Sequence, residues 1–156
     1  MQKFKMVNHS KIIELLDMKY WGFWLTMFFL MVLPAGILAE VGVESRKIVL
    51  GTHQPLSGPM KNYAQIGRGA SIYFQYLNDQ GGIHGRQLFL LQRDDRFKPQ
   101  RTLKLVEELV MKDRVFALFS GIGTETSESA MPLLKSQGVP HFFIGSNARR
   151  FTEPPR

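Results

Sequence analysis

Two glycines and a run of hydroxyl side chains stand together at residues 121–127, which read GIGTETS. The run falls where a helix is predicted to begin, so free backbone N–H groups lie beside the hydroxyls of Thr124, Thr126 and Ser127. Such donors bind a carboxylate or a phosphate. A hydroxyl at this position also commonly caps the helix, as Thr126 or Ser127 would, and capping is compatible with ligand contact. The segment predicts an anion-binding loop.

The glycine-containing segments lack the signatures of nucleotide sites. No lysine follows them in a GK[ST] arrangement. Neither GRGASI nor GIGTE supplies GxGxxG directly after a strand. Nucleotide binding is therefore not expected.

The serines and histidines form no recognisable nucleophile motif. No GxSxG sequence is present, and the approach of His53 to Ser57 within a predicted loop is too weak a signal for a triad. The side chains available as nucleophile and base are Ser57, Ser120 and Ser127 with His53, His84 and His141. An exported α/β enzyme is the weakest hypothesis, and no catalytic residue is predicted.

The adjacent acids Asp94 and Asp95 could suggest a metal site or an acid/base pair. No histidine or further carboxylate lies at ligand spacing nearby. The preferred interpretation is a loop turn with negative charge at a helix N-terminus. Neither a metal nor a cofactor is predicted.

The segment from Tyr20 to Ala39 carries no formal charge and reads YWGFWLTMFFLMVLPAGILA. Its most apolar part ends before Pro34 and Gly36, and the small residue Ala39 follows, as in a signal peptide. Residues 1–39 are therefore predicted to be a signal peptide, with Met18 preferred as its start, that exports the chain to the periplasm. An uncleaved anchor over residues 20–39 and a buried core helix are the alternatives.

Composition limits the remaining classes. A chain of 156 residues with 44% apolar residues has room for one ordinary domain, and it contains no cysteine for a disulfide framework. Four lysines and two acids leave with residues 1–39, which lowers the formal net charge from +7 to +5. The basic residues that remain are scattered among acids, so a nucleic-acid partner is not expected.

Four short apolar runs alternate with helical patterns along residues 47–145. The predicted strands are Lys47–Thr52, Leu88–Gln92, Val115–Phe119 and His141–Gly145. Helical spacing of apolar residues covers Tyr63–Asn78 and the segment from Pro99 to Asp113, and a third helix follows the loop at 121–129. This order predicts an α/β fold, a parallel sheet with helices on both faces. Ligands of such sheets bind outside the carboxyl ends of the strands, which selects the loops 53–63, 120–127 and 146–152.

Five segments of the chain resemble the first lobe of the type I periplasmic binding proteins, and most of all the branched-chain amino acid (Leu/Ile/Val) branch of ABC-importer receptors. They are IVLGTHQPLSGP, GRGASIYFQYLNDQGGIHGR, RDDRFKP, FSGIGTETSESAMPLL and GVPHFF, in the family's order and spacing. The resemblance implies a substrate-binding component that closes two lobes around an amino acid or similar small carboxylate solute. It also implies an ABC permease in the inner membrane as partner.

The resemblance assigns the ligand's carboxylate to two loops of this lobe and an aromatic wall to a third. The expected ligand-binding residues are Tyr63, Gly123, Thr124, Thr126, Ser146, Asn147 and Ala148. The family's amino-acid binders place a hydroxyl where Gly123 aligns, and the adjacent Thr124 could substitute for it. The segment from Asn147 to Arg150 also departs from the family's small-residue pattern.

On this reading, residues 40–156 are the N-terminal lobe of a ligand-binding domain, truncated before the second lobe. The alternative function is an extracytoplasmic sensor domain of a membrane-anchored signalling protein with the same fold, in which residues 20–39 are retained as the anchor.

Overall fold

The computed structural model describes residues 40–153. The predicted signal peptide or anchor, residues 1–39, lies outside the described residues. Within the described part, no helix combines the length and the apolar character needed to cross a bilayer.

Strands and helices alternate along the described chain. The strands are β1 (Lys47–Gln54), β2 (Gln87–Asp94), β3 (Ala117–Phe119) and β4 (His141–Phe142). The helices are α1 (Gln65–Asp79), α2 (Pro99–Met111) and α3 (Thr124–Gln137), with short 3-10 helices at Lys61–Ala64 and Arg149–Phe151.

All four strands pair in parallel, in the order β2-β1-β3-β4. Successive parallel strands need a crossover, and each of the three helices supplies one. The carboxyl ends of the strands therefore meet at one edge of the sheet, where the loops after β1, β3 and β4 begin.

Alternating side chains of the strands build a core on each face of the sheet. Leu118 of β3 packs with Val106, Leu109 and Leu134 of α2 and α3. On the other face, Leu50 and Ala117 pack with Phe74 of α1, together with partly buried Phe119. The period of two along a strand explains this division, since neighbouring residues point to opposite faces. The predicted parallel sheet with helices on both faces is confirmed.

The carboxyl ends of β1 and β4 differ from the sequence prediction. β1 runs two residues beyond Thr52, because its pairing with β2 continues to the pair Gln54 and Asp94. His53, assigned to a loop by sequence, is therefore a buried strand residue. β4 ends at Phe142, because Phe143 takes a left-handed backbone conformation with φ of +54°, which strands do not accommodate.

Candidate ligand-binding site

The loops after β3 and β4 are joined to each other by backbone hydrogen bonds. The N–H of Gly145 donates to the carbonyl of Gly121 at 2.8 Å, and the N–H of Gly123 donates to the carbonyl of Gly145 at 3.0 Å. Ile122 and Gly145 form a parallel bridge between these two bonds. The sheet pairing thus extends past the strand ends and holds the two predicted ligand loops side by side.

Hydroxyl groups from both loops meet at this junction. Thr124 Oγ1 and Ser146 Oγ lie 2.6 Å apart, and the N–H of Ala148 donates to Ser146 Oγ at 3.1 Å. Thr124 is the first residue of α3, so its own N–H and that of Glu125 have no acceptor within the helix. Hydroxyl and backbone donors therefore converge from two loops, and we call this group the hydroxyl seat (Thr124, Ser146 and the N–H groups beginning α3).

Gly123 occupies the N-cap position of α3 and supplies backbone geometry instead of a side chain. Its φ is +102°, a conformation that residues with a Cβ rarely adopt. A Cβ there would also collide with the ring of Phe97 and the hydroxyl of Thr126. The family's hydroxyl at this position cannot be accommodated here, and Thr124 is the neighbouring hydroxyl that reaches Ser146.

The hydroxyl of Thr126 lies apart from the seat. The side chain is buried and donates to the carbonyl of Ile122, four residues earlier. The capping role weighed for Thr126 or Ser127 is wrong, because Gly123 is the N-cap and no side chain bonds the first N–H groups of α3. Thr126 therefore stabilises the first turn of α3 through a buried hydrogen bond.

The other predicted residues lie at the same edge of the sheet. Tyr63 stands in the 3-10 helix after β1 with its side chain 53% exposed, and among residues 40–153 no hydrogen bond joins it to the seat. Asn147 is exposed and Ala148 half-buried, directly after Ser146. The structure thus brings together Gly123, Thr124, Ser146 and Ala148, and leaves Tyr63 and Asn147 as open neighbours.

Asp95 lies fully buried beneath the loops and accepts three hydrogen bonds. His53 Nδ1 donates at 2.9 Å, the N–H of Phe97 at 2.8 Å and the hydroxyl of Thr102 at 3.0 Å. These donors belong to β1, to the loop before α2 and to α2 itself. Asp95 is therefore a buried junction and not the helix-terminal charge that its sequence position indicated.

The far side of the His53 ring faces α3 and the ligand loop. Its Nε2 lies 3.5 Å from the hydroxyl of Ser127, and its ring meets that of His141 edge-on at 5.6 Å between centroids. A Cβ on Gly121 would overlap the Nε2 atoms of both histidines, so only glycine fits between them. The backbone of the predicted ligand loop thus packs directly against the two rings at Gly121.

Asp95, His53 and Ser127 are arranged like the acid, histidine and serine of a catalytic triad. The sequence analysis did not predict this arrangement. All three side chains are fully buried, so no substrate can reach the hydroxyl of Ser127. Ser57, another of the three candidate serines, donates to Asp94 at 2.6 Å and has no part in this chain of contacts. Burial makes the arrangement a structural network.

Asp94, the last residue of β2, accepts hydrogen bonds from the loop after β1 and from the loop after β2. Although partial burial raises its pKa, hydrogen bonds from the Ser57 hydroxyl and from the N–H groups of Arg96 and Ser57, with the charge of Arg101, hold the pKa of this carboxyl below its usual value. Asp94 therefore stays ionised and joins the loop after β1 to the loop after β2.

Phe97 is a candidate site residue that the sequence did not reveal. Arg96 and Phe97 both take left-handed conformations, with φ of +52° and +58°, which turns the Phe97 ring onto Gly123 beside Thr124. No local pattern marks such a turn. The pairing of His53 with Asp95 did have a signal, because both residues lie at the carboxyl ends of adjacent parallel strands, which share an edge.

Replacing Asp95 with asparagine should lower the free energy of unfolding by about 2–4 kcal/mol, because a charged acceptor of three buried donors is lost. Urea unfolding followed by circular dichroism measures this. Glu107→Gln, at an exposed position of α2, is the matched control and should change the value by less than about 0.5 kcal/mol. Equal stability of the two variants would contradict the junction role.

Acid should destabilise the fold through His141. Burial lowers its pKa to about 3, with the nearby His53 adding to the shift, and neither ring nitrogen has a hydrogen-bond partner among the described residues. The unfolded chain titrates near 6.5. It therefore binds a proton that the folded chain excludes between pH 6.5 and 3, and His141 costs roughly 2 kcal/mol of stability at pH 5.

His141→Phe should remove that acid-dependent part, and unfolding free energies at pH 7.5 and pH 5 measure it. His84→Gln, at an exposed position, should retain the wild-type dependence. The same loss of stability at pH 5 in His141→Phe and in the wild type would refute the assignment.

Comparisons with known proteins identify the fold's family. A family profile described as "Periplasmic binding protein" matches residues 47–155. Among curated proteins, "Leu/Ile/Val-binding protein homolog 7" from Brucella suis biovar 1 (strain 1330) is 26% identical over 120 residues, which are 76% of this chain and 30% of the relative. The chain thus spans about 30% of the length of the curated relatives that it matches.

Solved structures have the same architecture. A possible leucine/isoleucine/valine-binding protein from Rhodopirellula baltica SH 1 superposes with a TM-score of 0.65 at 22% identity, over 75% of this chain and 31% of that one. A substrate-binding periplasmic protein from Ralstonia solanacearum gives 0.56 at 32% identity, over 60% and 27%. These matches confirm the resemblance to one lobe. The chain belongs to the periplasmic binding protein family, whose members are binding proteins and not enzymes.

Proposed function

We propose that residues 40–156 are the N-terminal lobe of the substrate-binding component of an ABC importer. In this proposal the lobe holds the carboxylate of an amino acid, of the branched-chain type, or of a similar small solute. The observation that carries the proposal is the 2.6 Å contact between Thr124 Oγ1 and Ser146 Oγ at the carboxyl ends of β3 and β4. Ligands of parallel α/β sheets bind at this edge.

The donors of the hydroxyl seat suit a carboxylate. Its two oxygens accept hydrogen bonds from hydroxyls and from the N–H groups at the start of a helix. The pair formed by Thr124 and Ser146 supplies the one O–H that their mutual hydrogen bond leaves free, and α3 supplies the N–H groups. Phe97 and Tyr63 add aromatic surface at the same edge for an apolar ligand body.

The charges beside the seat favour a monoanion over a phosphate. Arg150 forms an ion pair with Glu128, and Arg149 lies 3.8 Å from Glu153. Each guanidinium therefore already faces an acid, and the seat offers neutral donors. A doubly charged phosphate would demand more positive charge than this arrangement leaves.

The names of relatives support the branched-chain class. The Brucella suis relative is called a Leu/Ile/Val-binding protein homolog. On this proposal, a lobe of the same family would contribute half of a site that a second lobe completes, and an ABC permease would receive the ligand. A ligand that contacts both lobes favours the closed state.

A carboxylate probe should bind this chain where an amine probe does not. In ¹H–¹⁵N spectra of the full chain, L-leucine and 4-methylpentanoate at roughly millimolar concentration should shift the amides of Thr124, Ser146 and Ala148. 3-Methylbutylamine, which has the apolar body without the carboxylate, should leave them unchanged. Thr124→Val should weaken the shifts, and Ser136→Ala, at the far end of α3, should not.

Equal shifts with the amine, or shifts confined to other amides, would refute a carboxylate seat. Shifts with 4-methylpentanoate and none with L-leucine would retain the carboxylate seat and remove the amino-acid assignment.

Export should leave a new N-terminus. We propose that residues 1–39 are removed as a signal peptide, and N-terminal sequencing of the protein from the periplasm should then begin near Glu40. An uncut chain in the membrane fraction would instead favour the membrane-anchored sensor.

A further inference from the structure

The outer face of α1 carries large apolar side chains that the lobe does not bury. Ile72 is 71% exposed, Tyr73 58% and Tyr76 57%. At 100° per residue, Ile72 and Tyr76 point away from Phe74 and Gly67, which are buried against the sheet. The solvent-facing side of α1, about four turns long, thus has exposed apolar side chains near its middle.

These side chains form a continuous ridge. Ile72 and Tyr76 are neighbours one turn apart, and the rings of Tyr73 and Tyr76 stack with centroids 6.1 Å apart. Gly69 lies one turn before Ile72 and has no side chain, which leaves open space on the helix surface there. Contiguous apolar surface of this kind marks an interaction site. We call it the α1 ridge (Gly69, Ile72, Tyr73 and Tyr76).

Opposite charges flank the ridge symmetrically. Arg68 precedes it and Asp79 follows it, both on its outer side and three helical turns apart, about 16 Å along the axis. Along the helix axis, the midpoint between the two charges lies next to Tyr73, near the centre of the ridge. Arg68 makes no ion pair among the described residues, and Asp79 accepts only a neutral hydrogen bond from Gln75.

This pattern is complementary to itself. A two-fold axis through the midpoint lays α1 antiparallel to its copy and places Arg68 of each chain beside Asp79 of the other. Ile72 and Tyr76 of the two chains then face each other between the two ion pairs, with Gly69 allowing close approach. An isologous dimer requires this kind of repeat of one patch on both subunits.

We propose that the α1 ridge docks a second copy of this chain, giving an antiparallel α1–α1 dimer. A single helix contributes less area than a standard interface, so the association is weak and reversible. The ridge lies on the outward side of α1, and the dimer is independent of the proposed carboxylate site.

Sedimentation of the full-length chain over a range of concentrations tests the dimer. A monomer–dimer equilibrium is expected. Arg68→Glu and Asp79→Arg should each weaken it about tenfold, because each introduces two like-charge contacts. The double variant Arg68→Glu/Asp79→Arg exchanges the charges and should return to within about threefold of the wild type. Met111→Glu, at a 58% exposed position of α2, is the control and should not change it.

The absence of native cysteine provides a second measurement. Ile72→Cys should form a disulfide-linked dimer on mild oxidation, because the two copies of this residue face each other near the axis, and Met111→Cys should not. We expect a dissociation constant on the order of micromolar, so a chain that stays monomeric at roughly 100 µM would overturn the proposal. Equal cross-linking of both cysteine variants, or no recovery in the double charge exchange, would also overturn it. Far-UV circular dichroism verifies that each variant is folded.

Discussion

The buried carboxylate of Asp95 fixes the geometry on which the ligand edge depends. An isolated acid in this position would cost several kcal/mol, so its three donors are required for the fold and not optional. They come from β1, from the turn containing Phe97 and from α2. Through the His53 ring, the same carboxylate supports Gly121 and approaches Ser127 of α3. One side chain thus connects β1 and α2 with the two loops that contain Phe97 and Gly121.

Two glycines connect that support to the proposed carboxylate seat. Gly121 lies against the two histidine rings, and Gly123 turns the chain under Phe97 into α3. Neither position tolerates a Cβ, so chemistry in this loop is left to backbone N–H groups and to Thr124. The departure from the family's pattern at Gly123 is therefore a matter of packing, and the hydroxyl has a place one residue later.

The fold was accessible from sequence because its signals are local. Apolar strands such as Lys47–Thr52 and the helical spacing around Phe74 and Val106 define elements whose order permits few topologies. The loops that carry Thr124 and Ser146 were accessible too, since the carboxyl ends of parallel strands meet at one edge, and the family resemblance pointed to Ser146 within its loop. The buried network was missed although its residues lie at neighbouring strand ends, because His53 and Asp95 are 42 residues apart and His53 reads as a loop residue. Phe97 reaches Gly123 through two left-handed residues that no sequence pattern specifies.

The hydroxyl pair of Thr124 and Ser146 also limits how many O–H groups can donate to a ligand. Thr124 and Ser146 have two O–H groups, and their mutual hydrogen bond uses one, whichever residue donates it. The N–H of Ala148 donates to Ser146 Oγ and uses no O–H, so a single O–H remains to point outward. Of the two oxygens of a carboxylate, one can be served by that hydroxyl and the other must accept from the amides that begin α3. The donor count alone would make the proposed seat asymmetric, with a hydroxyl donor at one carboxylate oxygen and amide donors at the other.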